Sequence, residues 1–244
     1  GAGGPRYAAR WIDPENNADG GQPGGNIRNA FLFNPARVEF VDREGCADDS
    51  AVGVTDGLSL TCSPGLVDPG NRAFRADETG RGGSRKPLVG EFRFAGNPFF
   101  VVNLHLRSEG GDDPIFGRRV PRVETSSSRR TEQAALVAEF VSGLIERNAS
   151  ARVVVLGALT DFEDSPALKT LEAAGLEDLV KRVPLDDRYS YVYLGNSQVL
   201  DHVLVSESLT DSVKIEMVQV NAEFPASDRA SDHDPVVVRL SFGE

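Results

Sequence analysis

Two rhythms of apolar and polar positions divide this chain. Residues 99–106 and 152–156 are nearly unbroken apolar runs, the pattern of strands covered on both faces. Residues 86–94 alternate with period two and are separated from the first run by the turn Ala95-Gly96-Asn97-Pro98. Shorter strands are predicted at 7–11, 28–33, 37–41, 189–193, 199–205, 214–220 and 235–240, with Asn34-Pro35 joining two of them as a hairpin. A helical period appears twice. Ser128 is placed to cap a helix over 131–147, whose Ala135, Leu136, Phe140, Val141, Leu144 and Ile145 form one apolar stripe. Ser165-Pro166 starts a second helix through Ala174, and Gly175 stops it. Strand, helix and strand with short links predict helices laid against a sheet.

The segments between are long and irregular. Residues 1–25 are rich in Gly, Pro and Asn, and residues 42–83 form a loop that holds both cysteines. A third loop, 107–124, leaves the strand ending at His105 and carries Arg107, Arg118, Arg119 and Arg122, with Arg129 and Arg130 just beyond. It reads either as a solvated loop or as a phosphate-facing patch. Cys46 and Cys62 share one loop, and their even count points to a disulfide and an exported protein rather than two free thiols. No CxxC is present, which argues against zinc.

Composition narrows the picture further. With 244 residues and 40% apolar content the chain can bury a core, and one domain is expected over 1–244. The formal net charge is -11, and 22 of the 26 basic residues are arginine. That field repels polyanions, so a nucleic-acid partner requires a bound cation or a local arginine cluster. No run approaches the ~18 apolar residues of a membrane span and no signal peptide remains at Gly1, so a soluble chain is expected.

The candidate chemistry gathers at strand ends. Ser231-Asp232-His233-Asp234-Pro235 opens the last strand, His105 ends the central run, and Asp201 heads Val203-Leu204-Val205. A carboxylate beside an imidazole at the lip of a buried strand can orient that imidazole and leave it open to substrate. Taken alone, His105 also fits a core histidine and Asp201 a turn cap. His202, on the opposite face from Asp201, is expected to pack.

Together with Gly157-Ala158-Leu159-Thr160-Asp161-Phe162 and Leu200-Asp201-His202-Val203-Leu204-Val205-Ser206, these segments resemble the endonuclease/exonuclease/phosphatase superfamily, in particular its extracellular, pancreatic-deoxyribonuclease-like branch. Supporting matches are Gly24-Gly25-Asn26-Ile27-Arg28, Ser84-Arg85-Lys86-Pro87-Leu88 and Gly195-Asn196-Ser197-Gln198. The resemblance implies an α/β fold, a four-layer αββα sandwich, and hydrolysis of a phosphodiester such as DNA, or of a phosphomonoester, assisted by Mg²⁺ (or Ca²⁺ or Mn²⁺). It makes His233 the general base with Asp232 beside it as a metal-side acid, His105 the second imidazole and Asp201 a site carboxylate. Arg85 then supports the phosphate, and Arg28, Arg107, Arg118, Arg119 and Asn196 are substrate contacts.

The departures are as specific as the matches. Where the family carries Gly-Asp-x-Asn, this chain has Ala158 and Thr160, which offer neither carboxylate nor amide. The family's opening strands, one bearing the metal-binding Glu, have no counterpart, so an N-terminal segment or a second chain is expected to complete the sheets. Two readings follow: a secreted phosphodiesterase domain that is inactive as written, or a degenerate member kept as a binding or assembly module.

Overall fold

The two apolar runs pair with each other in parallel, and a helix makes the crossover between them. A computed structural model describes residues 3–16, 20, 27–47, 49–75, 83–114 and 117–242. Its strands are β1 (Ala8–Trp11), β2 (Ala30–Phe33), β3 (Glu39–Phe40), β4 (Gly65–Leu66), β5 (Leu88–Phe94), β6 (Asn97–His105), β7 (Val153–Ala158), β8 (Leu176–Asp178), β9 (Tyr191–Tyr193), β10 (Asn196–Gln198), β11 (Asp201–Ser206), β12 (Val213–Met217) and β13 (Val236–Leu240). Helix α1 (Ser127–Arg147) links β6 to β7, and α2 (Pro166–Ala173) follows β7. Gly21 to Asn26 lie outside the described residues, and with them most of the Gly-Gly-Asn-Ile-Arg motif.

The main sheet has seven strands in the order β3-β5-β6-β7-β11-β8, with β4 on β5. Odd and even residues of its central strands face different layers. Val102, Leu104, Val153, Val155 and Leu204 pack under Val137, Val141 and Leu144 of α1 and Leu168 and Leu171 of α2. Val101, Val154, Val203 and Val205 pack on the other side, against Phe31 and Phe33 of β2 and Val236, Val238 and Leu240 of β13. Each fully buried Val, Leu or Phe contributes ~1.5–3 kcal/mol, so this two-sided core dominates the stability.

The second layer is in two pieces. β1 pairs with β2, β12 pairs with β13, and among the described residues no ladder joins the pairs. The first pair sits on the β3–β5 end through rings of Phe31, Phe33, Phe40 and Phe92, while β12–β13 leans on β11. Between them, Phe99 of β6 and Leu156 of β7 are only half-buried. The expected sandwich is present, with the middle of its second sheet open among the described residues.

Three local expectations are corrected. Residues 28–33 and 37–41 are not a hairpin: β2 pairs with β1, and β3 pairs with β5 in the other layer. Arg37 and Val38 donate their N–H groups to Asn34 O at 2.9 and 3.1 Å, a tight corner that carries the chain between layers. Helix α1 begins at Ser127, so Ser128 lies inside it. Its buried face is Arg130, Gln133, Ala134, Val137, Ala138, Val141 and Leu144, rotated from the expected stripe because two polar residues are buried where hydropathy would exclude them. Finally, the strand read to Val220 ends at Met217, because Asp234 Oδ1 accepts the N–H groups of Val220, Asn221 and Ala222 and bends that segment.

The long loop 42–75 is tied down as expected. Cys46 and Cys62 are bonded, and the buried Glu91 of β5 accepts from Arg43 Nη2 at 3.0 Å and from Leu60 N at 3.2 Å.

The closest backbone approach is at Gly157, which has φ +131°, and a Cβ built there would lie 2.0 Å from Leu104 O of the neighbouring strand. No side chain fits at that distance. Gly157→Ala is therefore expected to cost ~3 kcal/mol or more in denaturant unfolding, since both the backbone region and the contact forbid it. A loss under about 1 kcal/mol would show that β6 and β7 do not approach this closely.

Candidate active site

Strand register assembles the site. His105 of β6 pairs with Ala158 of β7, and Ala158 pairs with Asp201 of β11, so the three stand in one row on the face turned to the second layer. Neighbouring strands are ~4.8 Å apart, so His105 and Asp201 flank Ala158 from two sides. His233 comes from the segment before β13, which bridges to Tyr191 of β9. His105, Ala158, Thr160, Tyr191, Tyr193, Asn196, Asp201 and His233 all line one cleft of about 690 Å³.

Asp201 is the carboxylate that holds His233. His233 Nδ1 lies 2.6 Å from Asp201 Oδ2, and a carboxylate only accepts, so Nδ1 carries the proton and Nε2 is left as the acceptor. The buried Ser190 fixes that carboxylate: its Oγ donates to Asp201 Oδ2 at 2.7 Å and accepts from the Asp201 and Leu200 N–H groups. Its carbonyl accepts from Asp234 N at 2.7 Å, tying the same residue to the segment that bears His233. Sequence reasoning missed Ser190. The available signal was a small polar residue inside the Tyr189-Ser190-Tyr191 run.

The two imidazoles are held in different states. The hydrogen bond to Asp201 raises the His233 pKa, with the charges of Asp201, Asp232 and Asp234 adding to it. Burial lowers the His105 pKa to about 4, with the Arg85 charge adding to that. Among the described residues no group hydrogen-bonds the His105 ring, so it is not a core histidine satisfied by backbone. Burial pushes the Arg85 pKa down, with the Arg107 charge adding to it, and Arg85 Nε is buried without a hydrogen-bond partner among the described residues. Neither guanidinium has a carboxylate partner among them. The Arg85 charge acts on the His105 ring from beside the cleft, whose lining includes neither arginine.

Other expected residues fall elsewhere. Asp232 is exposed on the rim and does not orient the imidazole, because its side chain lies outside the Ser190–Asp201–His233 chain. Arg28 pairs with Asp13 and lies apart from the cleft lining. Arg119 pairs with Asp113 at 3.4 Å, and Arg118 is exposed and away from the lining. Asn196 lines the cleft, but its amide nitrogen donates to Tyr193 O and Leu194 O of its own turn. The two arginines beyond the loop turn inward. Arg130 is fully buried and donates to Asp161 Oδ2 at 2.8 Å, and Arg129 donates to Ala73 O and Arg75 O. His202 packs as expected, with Nδ1 2.9 Å from Asp178 Oδ2 and Nε2 2.9 Å from Asp161 O.

The residues present do not fit a divalent cation. Mg²⁺ and Ca²⁺ take about six or more oxygen ligands. Among the described residues no group of three His, Cys, Asp or Glu side chains could hold one. Asp201 is engaged with His233, Asp232 stands alone in water, and Ala158 brings no oxygen.

The layered sandwich is a fold shared with solved structures that include endonuclease/exonuclease/phosphatase proteins. The human Nocturnin catalytic domain with bound sulfate is 13% identical with a TM-score of 0.55, covering 96% of this chain and 72% of that one. An endonuclease/exonuclease/phosphatase from Bacteroides vulgatus is 15% identical, TM-score 0.53, covering 96% and 77%. A point variant of the 3′ phosphatase NExo from Neisseria, bound to product DNA hairpin, is 18% identical, TM-score 0.52, covering 97% and 80%. No family model matches the sequence, and no curated protein matches it either. At these identities the likeness is one of fold.

The two imidazoles give a direct check. In a histidine-resolved NMR titration, His105 is expected to protonate near pH 4 and His233 above the ordinary 6.5. The sign for stability differs between them. The His233 contribution is present below 6.5 and is lost as pH rises through its folded value, whereas the His105 contribution is present above 6.5 and is lost as pH falls towards 4. Asp201→Asn is expected to bring His233 back down, and an unchanged His233 would remove Asp201 as its partner.

Proposed function

We propose that this chain is the greater part of an exported phosphoester hydrolase domain that retains its phosphate-binding and proton-transfer groups but turns over negligibly as written. The observation that carries this reading is the Ser190–Asp201–His233 chain facing an unpartnered His105 across one cleft. In the reaction these groups suit, a water oxygen bonds to phosphorus, its proton passes to His233 Nε2, and the ester P–O bond breaks with its electron pair on the departing oxygen, which takes a proton from solvent water. Asp201 stabilises the imidazolium that forms. Neutral His105 hydrogen-bonds a phosphoryl oxygen, while Arg85 and Arg107 offset charge developing on the others. The resemblance implies Mg²⁺, but the described donors do not fit it, so none of these steps runs through a metal. The Cys46–Cys62 bridge supports an oxidising, extracellular location.

What the site lacks is a polar group at its centre. Ala158 occupies the place between His105 and Asp201 with a methyl, and Thr160 Oγ1 reaches only towards Ala158 O at 3.5 Å. Losing one well-placed polar group typically lowers a rate ~10²–10³-fold, and two are absent. Thr160 also sits at φ +55°, a left-handed conformation that Asn tolerates and a β-branched residue does not.

The test is restoration. Cleavage of bis-p-nitrophenyl phosphate by the chain as written is expected to be at background, and Ala158→Asp with Thr160→Asn to raise it ~10²-fold or more, with His233→Ala abolishing the gain. Thr160→Asn alone is expected to stabilise by ~1 kcal/mol, a rise of about 2–4 °C in Tm. His233-dependent cleavage by the unaltered chain would refute the reading of lost turnover. Restoration without any cleavage would favour the binding or assembly module.

The open middle of the second layer supports added strands, supplied by more of this polypeptide or by another. Half-buried Phe99 and Leu156 lie between two strand pairs that no ladder joins among the described residues, and such edges promote association. Sedimentation velocity of the chain as written is therefore expected to show concentration-dependent self-association. A strict monomer at every soluble concentration would count against an exposed seat there.

A further inference from the structure

We infer that the cleft selects a compact phosphoester carrying one flat ring, of mononucleotide size, and rejects a long polynucleotide. The inference rests on the phosphoester reading above and concerns what surrounds the phosphate.

One wall is the β9–β10 hairpin. The Tyr191 ring lies 4.7 Å from the His233 ring, and Tyr193 lies nearly parallel to Tyr191 at 6.4 Å between centroids with an interplanar angle of 11°. Tyr193 is 51% exposed and Leu194, at the turn, is 81% exposed, yet both line the cleft. Leu194 also sits at φ +50° beside Gly195 at +80°, so the turn holds a large apolar side chain in water and in a left-handed backbone at once. Both are unfavourable for a leucine, and neither helps the core. A ring inserted against Tyr193 and Leu194 would recover that surface, and it would reach them from a phosphate placed at His233 and His105.

The opposite wall is acidic. Ser108, Glu109, Asp112, Asp113 and Arg122 line it. Its arginine is already matched, since Arg122 pairs with Glu124 and lies 3.7 Å from Glu109. Asp113 is paired with Arg119, and the nearby Arg130 is committed to Asp161. Among the described residues this wall keeps no free cation for a second or third phosphate along a strand. Polynucleotide affinity comes mainly from several such neutralised phosphates, so a wall of this sign opposes it. A single phosphate held at His105 and His233 needs no cation from that wall. The cleft volume of about 690 Å³ lies within the ~300–1,000 Å³ of sites that hold one small ligand.

The experiment uses the full chain as it exists and follows its histidine NMR signals during titration with inorganic phosphate, phenyl phosphate, thymidine 5′-phosphate and a short DNA duplex. The two ring-bearing esters are expected to bind at least about tenfold tighter than inorganic phosphate, in line with the energy of stacking one ring. The duplex is expected to bind no tighter than inorganic phosphate at physiological salt. Leu194→Gly and Tyr193→Ala are expected to erase the ring preference while leaving inorganic phosphate binding unchanged, and Leu194→Gly to leave the fold as stable or more so. Equal binding of phenyl phosphate and inorganic phosphate, or tight and salt-sensitive duplex binding, would overturn the inference and spare the phosphoester site. Failure of every anion to shift His105 or His233 would overturn both.

Discussion

The register of three strands is the constraint on which the site depends. His105, Ala158 and Asp201 form one row only because β6, β7 and β11 align them, and side chains alternate faces along each strand. A slip of one residue in β11 would send Asp201 into the helical layer and His202 into the cleft. The buried bonds of His202 to Asp178 and to Asp161 O make that slip expensive, since both ring nitrogens would lose partners they have in a fully buried place. The buried histidine thus holds its neighbour Asp201 on the cleft side. Gly157 acts in the same cause from the other side, letting β6 and β7 approach where a Cβ would collide with Leu104 O.

Electrostatics divides the cleft into poles that the net charge of -11 does not reveal. Around His105, burial and the charge of Arg85, itself opposed by Arg107, favour the neutral ring. Around His233, Asp201 and two flanking aspartates favour the cation. Two histidines in one hollow therefore differ in basicity, the separation that lets one group take a proton while the other stays a neutral hydrogen-bonding partner. The same division puts Glu109, Asp112 and Asp113 of the loop from 108 to 114 along the cleft.

Much of this was legible in the sequence. Continuous apolar runs gave the central strands to within one to three residues, and the strand-end positions of His105, Asp201 and His233 identified the groups that share the cleft. Connections were less legible. Asn34-Pro35 has turn chemistry, but whether a turn joins two partners or carries the chain to another layer depends on distant Phe92. The α1 stripe was misplaced because Arg130 and Gln133 are buried by specific hydrogen bonds to Asp161, Arg107 N and Ala73 O, which hydropathy cannot represent. Asp232, adjacent to His233 in sequence, proved less intimate with it than Asp201, 32 residues away, because neighbours along a strand point apart.

The turn after β7 separates the fold from the chemistry. Leu159 N and Thr160 N both donate to Leu200 O, at 2.9 and 3.0 Å, and Leu159 is fully buried, so neighbours impose the left-handed conformation at 160 whatever residue stands there. Threonine endures it at a cost of about 1 kcal/mol, small beside a core in which each buried side chain contributes ~1.5–3 kcal/mol. The backbone therefore takes a shape that an amide side chain would suit better than threonine does. A fold held by its two apolar faces does not depend on polar side chains at 158 and 160 for the site's geometry. Ser190, Asp201, His233 and His105 stand around the methyl of Ala158 because the bonds and register that place them do not involve the side chains at 158 and 160.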